Sequence, residues 1–236
     1  MSMERQHIVF LTGAGISVES GLPTFRGNEG MWNNKNWRYY ASVEGLYNEP
    51  EKFLEFYNWR RQKLAEVEPN QAHRLIAELE KEHQVTVITQ NVDNLHERAG
   101  STHVIHLHGE LAKVCSSKNR QNPNYIKDYP LTTPIKLGDD AGDGSQMRPF
   151  VVLFGENVSA MGIAEDIVSH ADIFVVVGTS LVVYPAATLI NYAYKKIPKF
   201  FIDPNEIIAC EALGFNHIQA TAGEGMKVLL EKFKSL

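Results

Sequence analysis

Residues 8–17 read IVFLTGAGIS, and this stretch decides the fold class. Four apolar residues, 8–11, run without alternation towards Gly13, Ala14 and Gly15. An unbroken apolar run of this length, closed by glycine, is the pattern of a strand covered on both faces. The pattern recurs at 85–89, 173–177 and 200–203, each time followed by Gly, Asn or Asp and then by a helix-like stretch. Short buried strands alternating with helices predict an α/β core: a parallel sheet, doubly wound, with helices on both faces. Such sheets bind ligands at the carboxyl ends of their strands.

Two segments break the alternation. Residues 28–70 are rich in Trp and Tyr and turn helical from Pro50, while residues 110–147 are polar and end in the acidic turn GDDAGDGS. Both read as insertions that build a small lobe on a core made of 1–27, 71–109 and 148–236, within one domain spanning 1–236.

Composition limits the function classes. The chain has 236 residues, 44% hydrophobic and 22% charged, with a net charge of −5. That balance argues against a broad nucleic-acid-binding face. No apolar run reaches the ~18 residues of a membrane span. The two cysteines, Cys115 and Cys210, form no CxxC pair, so a cytoplasmic location without disulfides is expected.

The chemistry-bearing motifs fall at the predicted strand ends. Gly13, Ala14 and Gly15 open a short helix whose N-terminal N–H groups suit a pyrophosphate, and Ser17 adds a hydroxyl. The strict GxGxxG spacing is missing because position 18 is Val, and a plain strand–helix turn reads equally well. Next, GLPTFRG places Pro23, Phe25 and Arg26 on a glycine-bounded loop, where a guanidinium fork can meet phosphate. In TQNVDNLH, Gln90, Asn91 and Asp93 have the donor and acceptor types to pair with a carboxamide. On these residues alone, capping of the following helix is the favoured reading.

In HVIHLHGE, alternation puts His106 and His108 on one face of a strand that Gly109 ends. His108 then stands at an open edge, as a base for a hydroxyl proton near pH 7. His106 reads as structural. Zinc on these histidines and Cys115 ranks below catalysis, for want of a fourth ligand. Gly178, Thr179 and Ser180 close the third strand, and Asp203 and Asn205 follow the fourth, where they suit phosphate and ribose contacts.

Taken in order, GAGIS, PTFRG, TQNVDNLH, HLHGEL, FGE, GTS and Asn205 resemble the sirtuin family, over a match running from Ile8 to about Leu230. The resemblance implies a Rossmann-like domain with a small lobe and NAD-dependent removal of acyl groups from lysine. NAD is a co-substrate: the acyl oxygen attacks ribose C1′ as nicotinamide leaves, a base deprotonates a ribose hydroxyl, and O-acyl-ADP-ribose is released. It implies His108 as that base. Cofactor contacts would come from Gly13, Ala14, Gly15, Ser17, Pro23, Phe25, Arg26, Trp32, Gln90, Asn91, Asp93, Gly178, Thr179, Ser180, Asn205 and the backbone of Ala222. Val152, Phe154, Gly155 and Glu156 would form the edge that pairs with an extended acyl-lysine peptide. A monomer is the family expectation.

Tyr57 and Arg60 lie three residues apart, on one face of the predicted helix. The pair resembles the Tyr-x-x-Arg of class III sirtuins, which implies acidic acyl groups such as succinyl or malonyl, beside possible acetyl turnover. The family's two zinc-binding cysteine pairs are missing: between Glu110 and Met147 there is only Cys115, followed by Ser116 and Ser117. No metal site is therefore expected, and the lobe should rest on packing and hydrogen bonds. The alternatives are a mono-ADP-ribosyltransferase or NAD glycohydrolase on the same site, a non-catalytic NAD sensor, and a structural zinc protein.

Overall fold

The computed structural model describes residues 5–24, 35–206 and 208–234. Strand β1 (His7–Thr12) runs into a 3-10 helix, Ala14–Ser20. Helices α1 (Lys35–Tyr40), α2 (Val43–Asn48) and α3 (Pro50–Ala65) follow. Pro50 opens α3, where its missing N–H leaves no intrahelical bond unmade. Helix α4 (Gln71–Leu79) begins with a reciprocal cap: Asn70 Oδ1 accepts from the Ala72 N–H at 2.9 Å, and the Asn70 N–H donates to His73 Nδ1 at 3.3 Å.

The chain continues through β2 (Gln84–Thr89), α5 (Leu95–Ala99), β3 (Val104–His106), β4 (Gly109–Ser116), β5 (Lys127–Asp128) and β6 (Met147–Val151). It ends with α6 (Met161–Ser169), β7 (Ile173–Val177), a 3-10 turn (Ala186–Asn191), β8 (Lys199–Ile202), α7 (Ile208–Ala212), β9 (Asn216–Ile218) and α8 (Ala222–Phe233).

The larger sheet has the order β3-β2-β1-β7-β8-β9, and every pair in it is parallel. Its direction of winding reverses between β1 and β7, so the crevice of a doubly wound fold opens at their carboxyl ends. The unbroken apolar runs have a simple origin. Successive side chains of a strand face opposite ways, and here both sides are core. Ile8 and Phe10 join Ile173, Val175 and Val177 under α4 and α8, whereas Val9 and Leu11 join Phe174 and Val176 under α6 and the 3-10 turn. Each such side chain contributes about 1.5–3 kcal/mol when fully buried.

A smaller antiparallel sheet has the order β5-β4-β6. Its apolar face packs on α3, with Phe53, Phe56 and Leu64 meeting Leu111, Val114, Met147 and Val151. Two boundaries read from sequence need correction. Residues 148–151 were expected in the core segment, but they belong to β6, which pairs with β4. Gly109 does not end the histidine strand either: β3 stops at His106 and Gly109 starts β4. Its φ of +76° and a would-be Cβ only 2.1 Å from the Phe150 carbonyl oxygen demand glycine for close contact with β6. Among the described residues, no helix is long and apolar enough to cross a membrane.

Candidate active site

Parallel register brings three strand ends together, because Thr12 of β1 is opposite Thr89 of β2 on one side and Val177 of β7 on the other. The glycines that follow interlock. A Cβ on Gly15 would sit 2.6 Å from the Gly178 Cα, and one on Gly178, at φ +63°, would sit 2.4 Å from the Ile16 nitrogen. The N–H groups of Gly13 and Gly15 donate to the carbonyls of Val177 (3.0 Å) and Gly178 (2.8 Å), and Ile16 donates to Gly13 (3.2 Å). The expectation of several free N–H groups at this helix start is therefore corrected. Gly13 and Gly15 spend theirs on joining β1 to β7, Ile16 closes the turn on Gly13, and the helix is 3-10.

The segment after β2 forms the floor. Asn91 Nδ2 donates to the Gly13 carbonyl at 3.1 Å and to Ser17 Oγ at 3.2 Å, and Ser17 Oγ donates to Asp93 Oδ2 at 3.1 Å. Asp93 also accepts from the Leu95 N–H at 3.2 Å, a turn bond two residues on; the N-cap of α5 is Asn94, without a side-chain bond, so the capping reading of Asp93 and Asn91 is corrected. Burial pushes the Asp93 carboxyl up from its usual range. Gln90 Nε2 donates to Thr179 Oγ1 at 3.0 Å, bridging β2 to β7.

His108 lies in the turn between β3 and β4. Its Nδ1 is 2.7 Å from the Gln90 carbonyl oxygen, which can only accept. Nδ1 therefore carries the proton, and Nε2 is left with its lone pair. Burial lowers the basicity of the ring, partly offset by the Gln90 carbonyl, so His108 is neutral near pH 7.

A cleft of about 920 Å³ passes over these groups. Gly13, Ala14, Gly15, Gln90, Asn91, His108, Gly178, Thr179, Ser180 and Asn205 all line it. A small adjoining cavity of about 50 Å³ is lined by Ser17, Pro23 and Asp93, with Ala14, Asn91, Val92 and Arg60 common to both spaces. Phe25, Arg26 and Trp32 lie outside the described residues. Ala222 is buried at the start of α8, away from the cleft lining, where the Glu19 carboxylate takes the Gly223 N–H at 2.7 Å. Sequence reading missed Val92 and the segment at 183–185, which borders the cleft with Tyr184 76% exposed. The signal was present in VVYPA, a tyrosine and proline soon after a strand end.

The far wall comes from α3. Tyr57 and Arg60 both line the cleft, and the Arg60 guanidinium lies 5.6 Å from the Tyr57 ring centre. Burial pushes the Tyr57 phenol up to about 12, so it stays a neutral donor. Val152, Phe154, Gly155 and Glu156 also line the cleft. Their backbone is less open than a bare strand edge. The Val152 N–H donates to the His108 carbonyl (2.8 Å), and Phe154 uses both its N–H and its carbonyl, on Ala41 (2.9 Å) and Val43 (3.1 Å). Glu156 turns inward. Its carboxylate pairs with the fully buried Arg148 at 2.5 Å and with Arg120 at 3.3 Å, and accepts from the Leu153 N–H at 2.9 Å.

The lobe residues do not fit a four-cysteine zinc site. Cys115 is buried, its thiol donates to the Pro149 carbonyl at 3.7 Å, and burial pushes it up to about 11, so it stays protonated. Beside it, Ser116 Oγ donates to Asp143 at 2.7 Å and lies 2.9 Å from Ser145 Oγ. Buried Arg61 gathers the carbonyls of Leu111, Tyr129, Pro130 and Thr133.

A parallel sheet wound both ways, with interlocked glycines, carboxamides and a neutral histidine at its switch point, defines a dinucleotide-binding α/β protein. The Sir2 family model matches residues 13–185, and the chain belongs to that family. It is 50% identical over 225 residues to an NAD-dependent protein deacylase of Bacteroides thetaiotaomicron, covering 95% of this chain and 96% of the relative. A Helicobacter pylori protein of the same description is 45% identical, over 96% of this chain and 97% of its own. Among solved structures, a Sir2 homologue with ADP-ribose superposes with a TM-score of 0.86 at 37% identity, over 99% of this chain and 95% of the other. A Sir2 protein with a deacetylated p53 peptide and 3′-O-acetyl-ADP-ribose gives 0.79 at 31% identity, over 97% and 94%.

Proposed function

We propose that this protein consumes NAD to remove acyl groups from lysine side chains, with acidic acyl groups such as succinyl and malonyl preferred. The observation that carries the reaction is the tautomer of His108: Nδ1 is committed to the Gln90 carbonyl, and the neutral ring presents Nε2 as a base on the cleft. After the acyl oxygen has attacked ribose C1′ and nicotinamide has left, His108 takes a ribose hydroxyl proton, and that oxygen attacks the acyl carbon. Asn91, Asp93 and Ser17 form one hydrogen-bonded unit beside the small cavity, a suitable seat for the nicotinamide carboxamide.

The acyl preference rests on Tyr57 and Arg60. A guanidinium and a neutral phenol side by side on the cleft match a carboxylate, which accepts from both. The lysine-bearing chain would lie along 152–155, with Glu156 acting behind it: its inward pairing with Arg148 and Arg120 fixes that segment. From the small lobe, Ala41, Tyr57 and Arg60 would supply the acyl side of the cleft.

The test is mass spectrometry of matched acetyl- and succinyl-lysine peptides with and without NAD, alongside His108→Ala. NAD-dependent loss of succinyl ahead of acetyl, absent in the variant, is the expected result. Faster acetyl loss would remove the role given to Tyr57 and Arg60. NAD consumption without deacylation would point to ADP-ribosyl transfer or NAD hydrolysis.

A further inference from the structure

Two histidines on either side of Leu107 reach two successive carbonyls: His108 Nδ1 meets Gln90 at 2.7 Å and His106 Nδ1 meets Asn91 at 3.1 Å. A carbonyl oxygen only accepts, so both Nδ1 atoms carry protons. The other ring nitrogens differ. His106 Nε2 lies 2.7 Å from Glu97 Oε1, with the imidazole side chain only 7% exposed. An ionised carboxylate also only accepts, so this geometry is satisfied when both nitrogens of His106 are protonated.

The surroundings favour that charge. Glu97 on α5 and Glu110 on β4 converge on His106, their nearest polar atoms within 4.8 Å of one another. Asp93, after β2, adds a further negative charge. Against them stand Lys113, paired with Glu110 at 2.7 Å, and the buried neutral His96 on α5. Burial works against the imidazolium, but the bond to Glu97, the charges of Glu97 and Glu110 and the Asn91 carbonyl outweigh it, and His106 is raised above the usual histidine value. Two histidines two residues apart are thus driven in opposite directions, His106 towards the cation and His108 towards the neutral base.

We infer that His106 is a positioning residue of the cleft: clamped as an imidazolium between the Asn91 carbonyl and the Glu97 carboxylate, it fixes Asn91 for NAD. The inference rests on the reading of the cleft as an NAD site. Asn91 is the residue worth fixing, because its side chain ties Ser17 to the Gly13 carbonyl. When His106 loses a proton, the one that remains cannot serve two acceptors. The carboxylate is the stronger of them, so the Asn91 carbonyl then faces a lone pair and the floor loosens. The sign follows from the raised value: the clamp is intact below the usual histidine value and is lost as pH rises through the His106 titration.

The test joins nitrogen-15 NMR of the imidazoles in the full chain to NAD affinity by calorimetry, both from about pH 6 to pH 9. The wild type should show a doubly protonated His106 at about pH 6, with NAD binding weakened about tenfold as it titrates, the scale of one charge-assisted hydrogen bond. In Glu97→Gln the amide N–H donates to Nε2 of a singly protonated ring, Nδ1–H stays on Asn91, and the alkaline weakening should disappear. A merely structural role would lower thermal stability in the variant and leave the pH profile of NAD affinity unchanged. A singly protonated His106 in the wild type at about pH 6, or an alkaline weakening that persists in Glu97→Gln, would overturn the inference. Absence of NAD binding at every pH would overturn the reading of the cleft instead, and the NMR arm would still decide the charge on His106.

Discussion

The imidazole of His108 and the backbone carbonyl of Gln90 are 2.7 Å apart, a tie between the turn after β3 and the end of β2 that selects one tautomer of the ring. The base is thereby made by the fold, since an untied histidine would share its proton between both nitrogens.

Removing that base should stop turnover without removing the cofactor. His108→Ala is expected to lower kcat by about 10²–10⁴-fold, the usual range for a positioned general base. NAD affinity, read by calorimetry, should change little. Because burial lowers His108 below 6.5, the acid limb of kcat/KM should fall below that value, with activity rising as the ring deprotonates. An acid limb above pH 7 would contradict the assignment.

Tyr57 and Arg60 should act on specificity. Arg60→Met and Tyr57→Phe each remove one donor from the acyl wall. A bond to a charged group contributes about 1.5–3 kcal/mol. Each variant should therefore lower kcat/KM for succinyl-lysine peptide by about 10–100-fold and affect acetyl-lysine peptide much less. Equal losses on both peptides would assign the pair to packing.

Acid should unfold the protein through its buried histidines. His73 and His96 stack edge to face at 4.8 Å, and neither His73 Nε2 nor His96 Nδ1 has a hydrogen-bond partner among the described residues. Burial lowers His73 to about 4 and puts His96 well below the usual value. Only the unfolded chain then binds these protons between pH 6.5 and 4. Their contribution is complete above pH 6.5 and is lost as pH falls, by up to about 1.4 kcal/mol per pH unit for each histidine. Denaturant melts of His73→Gln, which keeps a capping side chain, should show a slope smaller by about one proton.

The interlocked glycines should be intolerant. Gly178→Ala meets the Ile16 nitrogen at 2.4 Å in a left-handed backbone conformation. Overpacking alone costs about 1–3 kcal/mol, and the strained φ adds to it. Denaturant titration should show the loss, whereas Gly162→Ala, where no atom lies within 4 Å of the new Cβ, should cost nothing measurable.

The lobe should be indifferent to chelation and sensitive to Arg61. Treatment with a strong chelator is expected to leave the thermal midpoint unchanged. Arg61→Met strands four carbonyls that the guanidinium now collects and should destabilise by about 3 kcal/mol or more, read by denaturant titration. A midpoint that falls on chelation would restore a structural metal to the lobe.

The sequence by itself determined the sheet and the place of the site. Which faces are buried is written locally, in unbroken runs such as residues 8–11, and strand ends are marked by glycine and amide residues directly after them. The missing cysteines were equally plain. Only the tertiary structure decided which partner each polar group takes. Gly13 and Gly15 give their N–H groups to β7, some 160 residues on, Glu156 turns inward to Arg148, β6 joins β4, and two histidines with the same spacing pattern meet different neighbours. Hydrophobic burial follows a period along the chain, so sequence records it. Hydrogen bonds and charge states depend on angles and distances between residues far apart in sequence, and these exist only once the layers have packed.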